Sequence, residues 1–248
     1  MRDQILQHEQ KQDTFSQAKN LTLFFERRIA TLYGIDSMAM KALDLVREEM
    51  CAEKGYKRNN GSDYYTHCVD TANTLISYGI KEQDVICAAL LHDIIEDVPG
   101  YKAITLEKLF NKNIARLVVI VTKERGVDYN DPKLLNEYLD NIMLDKDAAA
   151  IKTADKIHNM MSLKEKTFSG RYKTAMKTKN FYLPFFTKCG NLYPRYENLF
   201  FAARKEIETL IFHIESFYNE IQRLEEENQG LREKLESLKI DTQTLDAS

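Results

Sequence analysis

The sequence predicts an all-α fold, a helical bundle with one long C-terminal helix. Three observations carry that reading. Gly and Pro are scarce, at 9 and 4 residues in 248; the β-branched alternation of strands is nearly absent; and apolar residues recur with a period near 3.6 through most of the chain. An apolar fraction of 44% is enough to build one sizeable core.

Residues 1–35 open on a Gln-rich polar stretch that suits an arm or a helix. A helix starts near Asp36 or Ser37, either of which can cap it, and runs through MAMKALDLVREEMCAE to a stop at Gly55. The polar loop YKRNNGSDYY follows. Helices are then expected at about 64–78, 82–97, 105–122, 132–144, 147–163 and 171–188, the breaks marked by Gly79, Pro99 with Gly100, Gly126, Asp131 with Pro132, and Gly170. These elements make a globular domain over 36–196, and a single long helix with a short tail fills 197–248.

That last helix carries its own rhythm. Ile214, Phe217, Ile221, Leu224, Asn228, Leu231, Leu235 and Leu238 alternate three and four apart, a heptad seam with one polar position at Asn228. Around this stripe the segment is charged on every face, which fits a two-helix seam better than one amphipathic helix docked on its own domain. The seam predicts a coiled coil and a homo-oligomer. A buried Asn at such a position favours a parallel pair, whereas the acidic Glu220, Glu225, Glu226 and Glu227 followed by the basic Arg232, Lys234 and Lys239 favour an antiparallel one.

Charge and composition remove several function classes. A net charge of −3 gives no global basic field, so binding of a nucleic-acid polymer through its phosphates is not expected, and any anion site must be local. No apolar run reaches the length of a membrane span, and MRDQILQHEQKQ lacks the apolar segment of a signal peptide. Cys51, Cys68, Cys87 and Cys189 show no CxxC pairing and read as reduced thiols, which places the protein in the cytoplasm.

The chemistry gathers in ALLHDIIEDV, residues 89–98, an apolar run carrying His92, Asp93, Glu96 and Asp97. Burying four ionisable groups unpaired would cost several kcal/mol, so they need partners. A His beside an Asp can ligate a divalent cation, with carboxylates one turn later placed to handle an attacking water. Such an ion needs further ligands, and His67 in DYYTHCVD and Asp155 in KTADKIHNM are the candidates. On the second of these helices Lys152, Asp155, Lys156 and Asn159 share a polar face suited to a phosphorylated substrate beside a metal.

The order H…HD…D, with LLHDIIEDV followed by VTK and IKTADKIHNM, resembles the HD phosphohydrolase superfamily and, within it, the alarmone hydrolase domain of the RelA/SpoT homologues. The resemblance spans roughly residues 38–195. It takes in Arg58 before His67, the HD and ED pairs, Thr122 with Lys123, Asp155 with Asn159, and KTKNFYLPFFTKCG, similar to the family's ETLEIYAPLAxRLG. It implies that His67, His92, Asp93 and Asp155 hold a divalent metal, Mn2+ in this family, and that Glu96 and Asp97 place and activate water. It further implies that Lys57 and Arg58 meet base or phosphates, that Lys152 and Asn159 meet ribose and phosphate, and that Tyr182 lines the pocket. Two departures stand out: Cys68 where the family has Pro, and NNGSDYYTH, which follows the RKSGEPYIIHP pattern in part.

The activity so implied is removal of the 3′-pyrophosphate of (p)ppGpp, leaving GDP or GTP, by a stand-alone small alarmone hydrolase. Alternatives are hydrolysis of an adenosine alarmone or of the 2′-phosphate of NADPH. Outside catalysis, an HD scaffold could sense a nucleotide without turnover, or an adaptor could use its metal structurally.

Overall fold

A computed structural model describes residues 20–245, and among them the regular structure is helix, with one isolated antiparallel bridge between Lys57 and Asp63. The polar stretch 1–19 lies outside the described residues.

The first helix, α1 at 20–33, falls within the segment expected to be an arm or a helix. Phe25 and Ile29, four apart on one face, are completely buried, so α1 is part of the core. It ends at Gly34, whose φ of +91° is the left-handed conformation of a helix-terminating residue. Helix α2 (Met38–Glu49) is capped by the Ser37 side chain on the Met40 N–H and buries Ala39, Ala42, Leu43 and Val46, a spacing of three, four and seven.

The loop expected between α2 and α3 is well organised. Asp63 accepts from the Ala52 N–H at 2.7 Å, and the Arg58 N–H donates to the Ser62 carbonyl at 2.9 Å. Helix α3 (Tyr65–Ser77) follows, then α4 (Gln83–Leu91), in which every side chain from Val85 to Leu91 is buried. A helix apolar on all sides belongs at the centre of a bundle, and α4 packs against α2, α3 and α7 (Lys112–Val121), with α9 (Lys146–Met161) also touching it.

Three expected helices are broken. The helix expected over 82–97 stops at Leu91; His92 and Asp93 form a turn, and α5 (Ile94–Asp97) resumes after it. The helix expected over 105–122 divides into α6 (Ala103–Leu109) and α7 (Lys112–Val121), because the Asn111 side chain accepts from the Ile114 N–H at 2.9 Å and caps a new start. The helix expected over 171–188 is α10 (Phe168–Lys177), a π-helical turn (Thr178–Tyr182) and α11 (Leu183–Leu192). Pro184 has no N–H to return to Asn180, and the widened turn instead bonds the Leu183 N–H to the Thr178 carbonyl.

Between these lie α8 (Pro132–Met143), with Asp131 as cap and Pro132 in the first turn, and α9 (Lys146–Met161), capped by Asp145. Helix α9 is buried along most of its length and touches α3, α7, α8 and the long α12 (Glu197–Leu245). The first part of α12 closes the core with Leu199, Phe200, Ala203, Ile207 and Ile211. Farther along, Tyr218 stacks on Tyr172 of α10 at 3.7 Å between centroids, while Phe217, Ile221, Leu224, Leu231 and Leu235 of the heptad stripe are exposed. The side chain of Leu238 lies outside those described.

Candidate metal centre

Three separate elements bring the HD-motif residues to one point. His67 is in the first turn of α3, His92 and Asp93 are the turn between α4 and α5, and Asp155 lies on the buried face of α9. Consecutive side chains on a regular helix diverge by about 100°, so an unbroken helix would aim His92 and Asp93 at different places. With Asp93 at φ −100° and ψ −4°, the His92 Nε2 and the Asp93 Oδ2 stand 3.1 Å apart. The His67 Nε2 is 3.2 Å from the Asp155 Oδ1 and 3.6 Å from the Asp93 Oδ2, and the His92 Nε2 is 3.8 Å from the Asp155 Oδ1. One ligand atom from each of His67, His92 and Asp93 falls within 4.8 Å of the other two.

The chemistry of this donor set fits a cation. The His92 Nδ1 meets the Ala89 carbonyl at 2.8 Å and must donate to it, so in the neutral imidazole Nε2 is a bare lone pair. That nitrogen is buried without a hydrogen-bond partner and faces two carboxylates. Lone pair and carboxylates repel one another unless something positive sits between them. The titration directions carry the same message. Burial opposes charge on His92, yet the Asp93 carboxylate outweighs burial and raises its pKa well above the ordinary value, so the position between Nε2 and the carboxylates attracts a positive charge, for which a proton and a divalent cation compete. Burial likewise opposes charge on Asp155, and the Lys152 ammonium overrides it, holding the carboxyl well below the usual range. Two nitrogen and two oxygen donors, with Asp155 added to the three that converge most closely, form a set suited to a divalent transition metal.

The two candidate carboxylates are held from behind. The Tyr64 hydroxyl donates to the Asp93 Oδ2 at 2.7 Å, and the Lys152 Nζ and Asn159 Nδ2 donate to the two oxygens of Asp155 at 2.8 and 2.5 Å. Glu96 and Asp97 stand one turn beyond the HD pair. The Lys123 N–H donates to the Glu96 Oε2 at 3.1 Å, which ties Glu96 to the VTK segment. Asp97, exposed as a residue, is pushed up to about 6 by partial desolvation of its carboxyl and by the negative charge of Asp93 and Glu96, a value suited to a proton acceptor near neutrality.

A cleft of about 470 Å³ opens beside these residues. Tyr64 and Asn159, which hold Asp93 and Asp155, form part of its wall, so the cleft adjoins the ligand cluster. Seven of its sixteen lining residues are Lys or Arg and none is acidic, which gives the cleft a local positive field in a chain of net charge −3. Lys57, Arg58, Asn159 and Tyr182 all line it. Lys152 does not; it is buried against Asp155, and Lys156, one residue past Asp155, occupies the wall instead. The Lys156 Nζ sits 3.7 Å from the centre of the Tyr182 ring, and burial lowers its pKa to about 7. The π turn ends at Tyr182 and aims it inward.

Sequence reasoning passed over Tyr64, Asp70 and His158. The one available signal was spacing, because Asp70 and His158 each follow a candidate ligand by three residues on the same helix.

The HD-domain family matches residues 42–191. Among curated proteins, the GTP pyrophosphokinase rsh of Brucella melitensis is 28% identical over 199 residues, 76% of this chain and 25% of its own length. The bifunctional (p)ppGpp synthase/hydrolase SpoT of Escherichia coli K12 is 32% identical over 144 residues, 56% of this chain and 20% of its own. The chain thus spans a quarter or less of the length of these relatives. A solved structure of a metazoan SpoT orthologue, described as hydrolysing ppGpp, has the same fold, with a TM-score of 0.52 at 22% identity, covering 72% of this chain and 94% of that one.

Proposed function

The chain belongs to the HD-domain family, and on that premise we propose that it is a divalent-metal hydrolase that removes the 3′-pyrophosphate of (p)ppGpp. The observation that carries this reading is the buried His92 Nε2 facing the Asp93 and Asp155 carboxylates, in a cluster that adjoins, through Tyr64 and Asn159, a cleft whose charged lining residues are all cations. Full-length relatives named for (p)ppGpp chemistry add support. In this reading His67, His92, Asp93 and Asp155 hold the metal, with Mn2+ the ion expected.

The metal supplies Lewis-acid chemistry, lowering the pKa of water and offsetting phosphoryl charge. The rest falls to the chain. Asp97 takes a proton from the water that attacks the phosphorus bonded to the 3′-oxygen. Glu96, fixed by the Lys123 N–H, orients that water. The bond from phosphorus to the 3′-oxygen breaks, that oxygen takes a proton from solvent, and GDP or GTP leaves with pyrophosphate. Lys57, Arg58 and Lys156 hold phosphate oxygens, Asn159 meets ribose or phosphate beside Asp155, and Tyr182 walls the nucleotide. Lys152 acts through Asp155, whose charge it balances. The nucleotide substrate and the free thiols suit the cytoplasm; among the described residues no helix is long and apolar enough to cross a membrane.

Incubation with Mn2+ and, in turn, ppGpp, the adenosine analogue and NADPH, followed by chromatography, tests the substrate class. Cleavage of ppGpp alone or fastest agrees with the proposal; preference for either other nucleotide redirects it, and tight binding without turnover supports a sensor. The exposed stripe of α12 supports pairing with a second copy, which deletion of 219–248 should abolish in a solution-mass measurement.

A further inference from the structure

The two metal-facing imidazoles are oriented by different devices. His92 is held by a backbone carbonyl, Ala89, through its Nδ1. His67 has no such carbonyl; its Nδ1 lies 2.6 Å from the Nδ1 of His158, whose Nε2 lies 3.4 Å from the Asp70 Oδ2. Both partners come from the helices that already supply ligands. Asp70 follows His67 by one turn of α3, and His158 follows Asp155 by one turn of α9, so the packing of α3 on α9 that builds the ligand pair also builds its support.

Two nitrogens at 2.6 Å share one proton, and which ring owns it decides what His67 presents to the ligand cluster. If His158 is the donor, His67 carries its proton on Nε2, aimed between Asp155 and Asp93, and cannot ligate. If His67 is the donor, its Nε2 is a lone pair. An ionised Asp70 accepts only, so it favours the proton of a neutral His158 on Nε2; that leaves the His158 Nδ1 bare to accept from His67.

We propose that His158, set by Asp70, is a positioning residue that fixes His67 in the tautomer able to bind the divalent ion. This rests on the metal reading above and is independent of which nucleotide is cleaved. Partners of this kind typically change metal affinity by about 10–100-fold when removed.

Calorimetric titration of Mn2+ into the full chain tests it, using His158→Leu, His158→Asn and Asp70→Ala. The amide oxygen of Asn stands where Nδ1 stood and can accept from His67, whereas Leu can accept nothing. The expected result is a loss of about 10–100-fold in affinity for His158→Leu, a weaker loss for Asp70→Ala, and near-wild-type binding for His158→Asn, with circular dichroism unchanged throughout. Equal affinity in His158→Leu and wild type would overturn this inference alone. Equal losses in His158→Leu and His158→Asn would reduce His158 to packing and overturn it as well. A wild-type chain that binds no Mn2+ would overturn the metal reading and this inference together.

Discussion

The Tyr64 hydroxyl donates a 2.7 Å hydrogen bond to Oδ2 of Asp93, the oxygen that also lies 3.1 Å from the His92 Nε2. The bond reaches across from the start of α3 to the turn after α4 and limits how Asp93 can rotate. Tyr64→Phe keeps the ring and removes the donor. It should weaken Mn2+ binding by roughly 10-fold, the low end for outer partners of a metal ligand, at unchanged helicity. Unaltered affinity in a calorimetric titration would mean that Asp93 is held without the phenol.

Asp97 gives a pH dependence of definite sign. Its pKa in the fold, about 6, lies above the ordinary carboxyl value, so its ionised form destabilises the metal-free fold. That cost is present above about pH 6 and disappears as pH falls through the ordinary carboxyl range. Asp97→Asn should therefore melt higher than wild type at about pH 7.5 in chelator, with the gap closing towards about pH 4. Turnover in the same variant should collapse, and wild-type turnover should fall as acidity protonates Asp97. A variant less stable than wild type at both pH values would contradict this account.

Lys156 stands over the Tyr182 ring in the cleft wall, where a phosphate would restore charge balance around a buried amine. Loss of one charge-assisted hydrogen bond costs about 1.5–3 kcal/mol, so Lys156→Met should weaken nucleotide binding by roughly 10–100-fold while leaving Mn2+ affinity nearly intact. Fluorescent-nucleotide titration separates the two. Parallel loss of metal affinity would place Lys156 in the support of Asp155 instead.

Helix α1 contributes Phe25 to the core without contributing to the ligand cluster. Phe25→Ala should cost about 3–5 kcal/mol in urea unfolding at unchanged m-value. A loss below about 1 kcal/mol would mean that α1 is only loosely attached.

The candidate ligands were legible because each residue type sits in an ordered motif, and the helices of the surrounding bundle have clear periodicity and caps, as at Ser37 for α2 and Asp131 for α8. The turn at His92 and Asp93 was not legible. The apolar run from Ala88 to Ile95 contains no Gly or Pro, and its helical pattern continues across the break that the site geometry needs. The same limit applies to the split of Lys152 from Lys156. Spacing put both on one polar face, but depth within the bundle decides that one is buried against Asp155 and the other lines the cleft. The π turn was not legible either: the expected helix over 171–188 runs straight through Pro184, and apolar spacing does not show that the chain widens there.

The most direct test of the central claim is a phosphorus NMR time course of ppGpp with the Mn2+-loaded chain, run beside Asp155→Ala. The account predicts a growing pyrophosphate resonance with matching GDP, and none with the variant. Orthophosphate release, or equal turnover by Asp155→Ala, would contradict it.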